Sequence, residues 1–142
     1  MKLLKKLARF FAISSHRSNV PTGFIPLRDM RSAVVFTDPA DAGMEPLKVR
    51  IRKFFGDNGI STRFISAADK DIRTSSDIFI ALNGHKSIDE RYAAASSTAR
   101  FKVGRHQLAR QVYDFVVSDP TDEPVPVAAA FDVMLKLITS IK

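Results

Sequence analysis

The sequence contains no cysteine and no apolar run approaching the roughly 20 residues that a helix needs to cross a bilayer. Without cysteine there is no disulfide framework, no thiolate nucleophile and no cysteine-based zinc site. These absences fit a reducing compartment, so we expect a cytoplasmic protein, with the inner face of the membrane as a peripheral position.

Acidic residues are absent from positions 1–17, although the whole chain has a net charge of +7. This segment carries +5, and the remaining 17 basic and 15 acidic residues leave positions 18–142 with only +2. A nucleic-acid-binding domain more often carries a basic face on its fold. The charge distribution therefore argues against nucleic acid as the partner.

Residues 1–17 are predicted to form a basic amphipathic helix, because apolar side chains recur at helical spacing. Basic residues interrupt the apolar residues too often for an export signal. The apolar stripe requires a cover, which could be the protein's own sheet or a second copy, an anionic membrane surface, or the groove of a partner protein. The residues expected to make this contact are Leu3, Leu4, Leu7, Phe10, Phe11, Lys2, Lys5, Lys6 and Arg9.

The remainder is predicted to be a linker over 18–31 and one Rossmann-like α/β domain over 32–142. Strand and helix patterns alternate, which predicts three layers around a mostly parallel sheet of about five strands. The fifth strand follows the fourth after only residues 105–112, too few for a crossover helix. We therefore expect it to be an antiparallel edge strand.

Two helices have inner faces that the sequence predicts in detail. Residues 45–58 place apolar side chains at helical spacing, with Pro46 in the first turn and Gly59 after the last. Ser87 and Glu90 have the spacing of a capping box at the start of the next helix. The inner side chains expected are Leu47, Ile51, Phe54 and Phe55 in the first helix, Ile88, Tyr92 and Ala95 in the second, and Val127, Phe131, Met134, Leu135, Ile138 and Ile141 in the last.

Three segments, 77–83, 97–104 and 113–116, resemble a domain-of-unknown-function family of small uncharacterised Bacteroidota α/β proteins. In that family a longer, aromatic-containing stretch often separates the second and third strands, whereas only residues 67–76 fill that place here. The same segments are faintly similar to the acceptor-side half of lipopolysaccharide heptosyltransferases. That similarity implies a shared fold ancestry and not transferase activity, since those enzymes hold the donor mainly in a second domain.

Ligands of open parallel sheets bind at the carboxyl ends of the strands, where this chain has Asn83, Gly84, His85, Lys86 and Ser87. These residues combine a turn, a lysine and a helix start, which favours an anion. The alternative is that Gly84 only turns the chain and Ser87 only caps the helix. The P-loop and G-x-G-x-x-G patterns are both missing, so no nucleotide cofactor is predicted.

Other polar residues support weaker hypotheses. Asp38, His85 and His106 could converge as an acid–base cluster, and Asp38 with Asp41 could bind a cation, but turn and capping roles are commoner for such residues. The three histidines, with His16, have no helical metal-ligand spacing, so no metal site is predicted. Basic residues at 102, 105 and 110 are expected on a solvated rim of the sheet.

No catalytic set is assembled by these patterns, so the sequence favours a non-enzymatic interaction module. Its partner would be a protein, a second copy of the chain or an anionic membrane surface. The alternative function is binding of a phosphate-bearing or nucleotide-sugar ligand, or degenerate catalysis on one, at the carboxyl edge of the sheet.

Overall fold

A computed structural model describes residues 23–106, 112–117 and 126–141. Its strands are β1 (Ser32–Phe36), β2 (Ser61–Ile65), β3 (Ile78–Ala81), β4 (Phe101–Gly104) and β5 (Phe115–Val116). Its helices are α1 (Met44–Asp57), α2 (Ile88–Ser96) and α3 (Val127–Ser140), and a 3-10 turn spans Leu27–Asp29. The alternation of strands and helices confirms the predicted α/β class.

All five strands are parallel and lie in the order β2-β1-β3-β4-β5. The central strands β1, β3 and β4 are short apolar runs with nearly every side chain buried. Such runs are typical of parallel strands that are covered on both faces. At the centre of the sheet Val35 of β1 is paired with Phe64 of β2 on one side and with Ile80 of β3 on the other.

The predicted antiparallel edge strand is wrong, because β5 pairs with β4 in parallel, with Val103 beside Phe115 and Gly104 beside Val116. The chain must return past only the four residues of β4, which is about 13 Å at the usual strand rise. The ten residues between the two strands could extend over roughly 33 Å. A parallel return therefore needs no helix when the strands are this short.

The first face of the sheet is covered by α1 and α3, which contact each other. The apolar stripe of α1 is buried as predicted at Leu47, Ile51 and Phe55, while Phe54 is half-buried. Of the inner residues predicted for the last helix, all are buried except the half-buried Leu135 and Ile141, and Ile141 lies directly after the end of α3. Side chains of both helices meet β1, β3 and β4 in one apolar core.

The second face is covered by α2 and by the connection 66–77, which contains no helix. The predicted inner side of α2 is only partly right, because Ala95 is buried but Ile88 and Tyr92 are half-buried. Two alanines, Ala93 and Ala94, face the sheet instead, and their small side chains allow the helix to lie close to it. Beside them the same side buries two acidic residues, Asp89 and Glu90.

The predicted amphipathic helix over 1–17 lies outside the described residues, as do positions 18–22 of the predicted linker. From Gly23 onward the chain contacts the domain: the Gly23 N–H donates to the Arg100 carbonyl, and Phe24 packs edge-to-face on Phe101. Met30 is fully buried in the core. Within the described ranges, no helix has both the length and the apolarity to span a membrane.

Candidate functional site

A cavity of about 340 Å³ opens at the carboxyl ends of the strands, between the β1 and β3 ends. In this strand order β2 and β3 lie on opposite sides of β1, so the direction in which successive strands are added to the sheet reverses there. Ligands of open α/β sheets bind at such a reversal. The residues lining the cavity are Phe36, Thr37, Asp38, Pro39, Ser66, Ala67, Ala68, Asn83, His85, Lys86, Ser87 and Asp89.

The β1 wall of the cavity is fixed by the way this strand ends. The Thr37 N–H donates to the Ile65 carbonyl, which extends the pairing with β2 by one residue. Asp38 then turns the chain, because its Oδ1 accepts a hydrogen bond of 2.9 Å from the Ala40 N–H. The aspartate–proline sequence therefore stops the strand and leaves a carboxylate at the cavity.

The opposite wall is the turn 83–87, which the sequence analysis singled out. Asn83, His85, Lys86 and Ser87 line the cavity, whereas Gly84 is not among its lining residues. The Gly84 N–H donates to Asp41 Oδ2 over 3.0 Å, so this aspartate supports the turn. The structure thus brings four of the five predicted ligand-binding residues to one cavity.

The predicted capping box forms only in half. Ser87 Oγ accepts a hydrogen bond of 3.0 Å from the Glu90 N–H, as its spacing predicted. The Glu90 carboxylate is fully buried and accepts hydrogen bonds from two other donors. Its Oε1 accepts from Asn83 Nδ2 and its Oε2 accepts from the Tyr113 hydroxyl, and the donor–acceptor distance is 2.5 Å in both bonds. Glu90 therefore joins the cavity turn to the residues before β5.

Burial changes the acidity of this pair. It raises the pKa of Glu90 above the ordinary value of 4.5, although hydrogen bonds from Tyr113 and Asn83 and the charges of His106 and Lys86 act to lower it. Burial, the Glu90 charge and the hydrogen bond also raise the pKa of Tyr113 well above its usual range. The tyrosine therefore stays protonated and remains a donor to Glu90.

Sequence reasoning missed the structural roles of Glu90 and Tyr113, although one signal was available. Gly104 is a glycine inside a strand, which often marks a close approach of another group. A methyl group on Gly104 would lie 2.6 Å from Cδ2 of Tyr113 and closer still to two other ring carbons. The glycine therefore makes room for the tyrosine ring across β4.

The prediction of a solvated rim is wrong for Lys102, which lies within β4, and for Arg105, which directly follows it, because they are 4% and 2% exposed. In the sheet β4 is an inner strand that pairs with β3 on one side and with β5 on the other. Arg105 Nη1 donates to the Leu82 carbonyl over 3.2 Å, immediately before the cavity turn. Residue 110 lies outside the described residues.

The proposed acid–base cluster is brought together only in part. Asp38 and His85 line the same cavity, but His106 is not among the lining residues and its Nε2 lies 3.0 Å from the Gly84 carbonyl oxygen. His16 lies outside the described residues. Within the part of the chain that the structure describes, no three histidine, aspartate or glutamate side chains are grouped as metal ligands.

Asn83 is held with its amide in one orientation. Its Nδ2 donates both to Glu90 Oε1 and to the His85 carbonyl, so Oδ1 must face the other way. This oxygen is buried and has no hydrogen-bond partner among the described residues. A buried acceptor without a partner costs about 1–3 kcal/mol, so a donor reaching this oxygen would be stabilising.

Comparison with protein-family models, with curated protein sequences and with solved structures finds no match to this chain. The resemblances based on segments 77–83, 97–104 and 113–116 therefore stay predictions. The chemistry of the site must be argued from its own residues: one lysine, two carboxylates, a histidine and several hydroxyl groups around a small cavity.

Proposed function

We propose that this domain binds a small phosphate-bearing ligand of the sugar phosphate or nucleotide-sugar class in the cavity between the β1 and β3 ends. The observation that carries the proposal is the cavity itself, which places Lys86 and Asp38 on two walls at the reversal point of the sheet. Cavities of this kind are the usual ligand sites of open parallel sheets.

The turn 83–87 supplies the groups for phosphate. Lys86 is exposed and lines the cavity beside Ser87, the residue that caps α2. A lysine ammonium binds phosphate as a point charge, and the first turn of a helix favours negative charge in the same place. These two effects act on the same side of the cavity.

The remaining groups favour a ligand that is more than a free anion. Asp38 and Asp89 also line the cavity, so its carboxylates outnumber its lysine by two to one. Carboxylates repel a free phosphate but accept hydrogen bonds from sugar hydroxyls. A phosphate joined to a polyol can place its anion at Lys86 and its hydroxyl groups at Asp38 and Asp89, which neither half does alone.

The size of the cavity limits the ligand. Its 340 Å³ lies at the small end of the range of about 300–1,000 Å³ for ligand pockets. A monosaccharide phosphate suits this volume better than a dinucleotide. For a nucleotide sugar, the sugar and its adjoining phosphate would be the part inside.

Isothermal titration calorimetry of the full chain with glucose 6-phosphate, uridine diphosphate glucose, inorganic phosphate and glucose tests the proposal. We expect saturable binding of at least one sugar phosphate and weaker binding of inorganic phosphate and of glucose. Lys86→Ala and Asp38→Asn should each weaken binding by about tenfold, which is the usual worth of one charge-assisted contact.

Lys136→Ala is the matched control, because Lys136 is an exposed lysine on α3 and does not line the cavity. It should leave the affinity unchanged. Absence of binding for all four probes, or equal binding by the Lys86→Ala and Lys136→Ala variants, would refute the proposed site.

A second proposed function is docking on an anionic membrane by residues 1–17, which lie outside the described residues. It is supported by the sequence alone: this segment combines a charge of +5 with an apolar stripe at helical spacing, a combination typical of interfacial helices. The remainder of the chain is nearly neutral in sum, and in its densest basic run Lys48, Arg50 and Lys53 each form an ion pair with an acidic residue.

Flotation of the full chain with vesicles of phosphatidylglycerol and phosphatidylcholine tests this second proposal. Neutralising four basic residues of the segment should abolish flotation, whereas neutralising four exposed basic residues of the described body should not. Equal flotation of the two variants would count against membrane docking. The first variant carries Lys2→Gln, Lys5→Gln, Lys6→Gln and Arg9→Gln, and the second Lys53→Gln, Arg63→Gln, Lys70→Gln and Lys136→Gln.

A further inference from the structure

The cavity turn 83–87 is held by residues that do not line the cavity. Arg105 donates to the carbonyl oxygen of Leu82, His106 contacts the carbonyl oxygen of Gly84, and Asp41 accepts from the Gly84 N–H. The backbone that carries the lining side chains is therefore held by hydrogen bonds from residues outside the cavity lining. Its position depends on segments distant in sequence.

Glu90 also holds the turn 83–87, and it does so through two hydrogen bonds. Through its backbone N–H it holds Ser87 Oγ, and through Oε1 it holds Asn83 Nδ2. Both partners line the cavity, one at each end of the turn, whereas Glu90 itself does not. A single buried residue therefore fixes the distance between the two ends of the turn.

The orientation of the Glu90 carboxylate depends in turn on Tyr113. The hydroxyl of Tyr113 donates to Oε2 over 2.5 Å, and the tyrosine ring lies against Gly104, where no side chain fits. Because the ring rests on the backbone of β4, its hydroxyl is held at a defined place. The sheet therefore fixes Glu90 through Tyr113.

We infer that Glu90 and Tyr113 are positioning residues, which hold the turn 83–87 in its ligand-binding geometry without touching the ligand. The expected effect of these residues on ligand affinity rests on the proposed function, because it requires that the cavity bind a ligand. Its structural part, the control of the turn, can be measured without any ligand.

Removal of the Tyr113 hydroxyl leaves the Glu90 carboxylate with one donor fewer in a buried position, so the carboxylate and the turn should shift together. In the Tyr113→Phe variant we expect the Gly84 and Glu90 amides to exchange with solvent about tenfold faster, relative to the Ile51 amide in α1. The ratio to Ile51 removes the effect of a general loss of stability.

Two further variants make the measurement specific. Ser96→Ala removes another buried hydroxyl bond of α2, from Ser96 to the Tyr92 carbonyl, and should leave the exchange ratio unchanged. Glu90→Gln keeps a side chain that can accept from Asn83 and donate to the tyrosine hydroxyl, so it should stay close to the parent ratio. An unchanged ratio in Tyr113→Phe, or an equal change in Ser96→Ala, would overturn the inference.

The affinity of each variant for glucose 6-phosphate completes the experiment. We expect Tyr113→Phe to bind about tenfold more weakly and Ser96→Ala to bind as the parent does. If the parent binds the probe and Tyr113→Phe binds equally well, the positioning role is refuted. If the parent binds none of the sugar phosphates, the proposed function fails, and the exchange ratios alone decide whether the turn is positioned by Tyr113.

Discussion

The two faces of the sheet are built in different ways. The first face meets α1 and α3 through large hydrocarbon side chains such as Ile51, Phe55 and Phe131. The second face meets α2 through alanines and buries Glu90 and Asn83 beside them. Both faces bury apolar side chains, but the second face in addition fixes the geometry of polar groups at the edge where the cavity opens.

The two faces differ in whether they mainly stabilise the sheet or hold the turn 83–87 in position. Apolar burial is non-directional and tolerates small displacements, so the first face is suited to stabilising the sheet. Hydrogen bonds to a buried carboxylate are directional and costly to break, so the second face is suited to holding the turn 83–87 in one place. Substitutions on the two faces should consequently have different signatures.

The largest effect is expected on the first face. Phe131→Ala removes a fully buried ring from α3 and should lower the free energy of unfolding by about 3–5 kcal/mol, measured by urea denaturation. Phe24→Ala is the control, because Phe24 is 55% exposed, although its ring packs edge-to-face with that of Phe101. A cost no greater than that of the control would show that α3 contributes little to the core.

On the second face, Gly104→Ala should cost about 2–3 kcal/mol, because the new methyl group overlaps the Tyr113 ring and displaces its hydroxyl from Glu90. Gly56→Ala in α1 has open space around the new methyl group and should be neutral or stabilising by up to about 1 kcal/mol. Similar thermal shifts for the two variants would contradict the close contact at Gly104.

The buried carboxylate should give the second face a pH signature. Because burial raises the pKa of Glu90, the folded state binds a proton more readily than the unfolded state does. The contribution of this group to stability is therefore greatest below its ordinary value of 4.5 and is lost as the pH rises through the raised pKa.

On acidification from neutral pH towards 4.5, the parent protein should accordingly gain stability relative to Glu90→Gln, measured as the difference in unfolding free energy. The groups that oppose the shift are Tyr113 and Asn83 by hydrogen bonds and His106 and Lys86 by charge. A constant difference between the two proteins over this range would disprove the raised pKa.

The smallest effect is expected from the ion pair between Arg50 of α1 and Asp132 of α3, whose side chains are about half exposed. Asp132→Asn should lower the free energy of unfolding by less than about 1 kcal/mol, and the loss should shrink further in high salt. A loss comparable to that of Phe131→Ala would mean that charge, and not apolar burial, joins these helices.

The sequence was most informative where one local pattern determines the structure. The stripe of α1, the cap at Ser87 and the left-handed glycine at 59 follow from helical spacing and backbone conformation alone, and the structure contains all three. The parallel edge strand could not be predicted in this way, because its pairing depends on how short β4 and β5 are.

The buried part of the site was harder to predict for a related reason. Glu90 is separated from Tyr113 by 23 positions, so no local pattern joins them. Burial of Lys102 and Arg105 likewise depends on the position of β4 between two neighbours. The cavity turn was visible from residue types, whereas the residues that support it become visible only in three dimensions.

The connection 66–77 has a consequence for how this architecture could diversify. It crosses from β2 to β3 without a helix and contributes Ser66, Ala67 and Ala68 to one wall of the cavity. A differently composed segment at 66–71 would rebuild that wall, whereas residues 72–77 must be kept, because Ile72 packs in the core of the second face and Asp77 accepts from the N–H groups at the start of β1. Selectivity for a guest molecule could thus be exchanged by grafting residues 66–71 alone onto an otherwise constant scaffold.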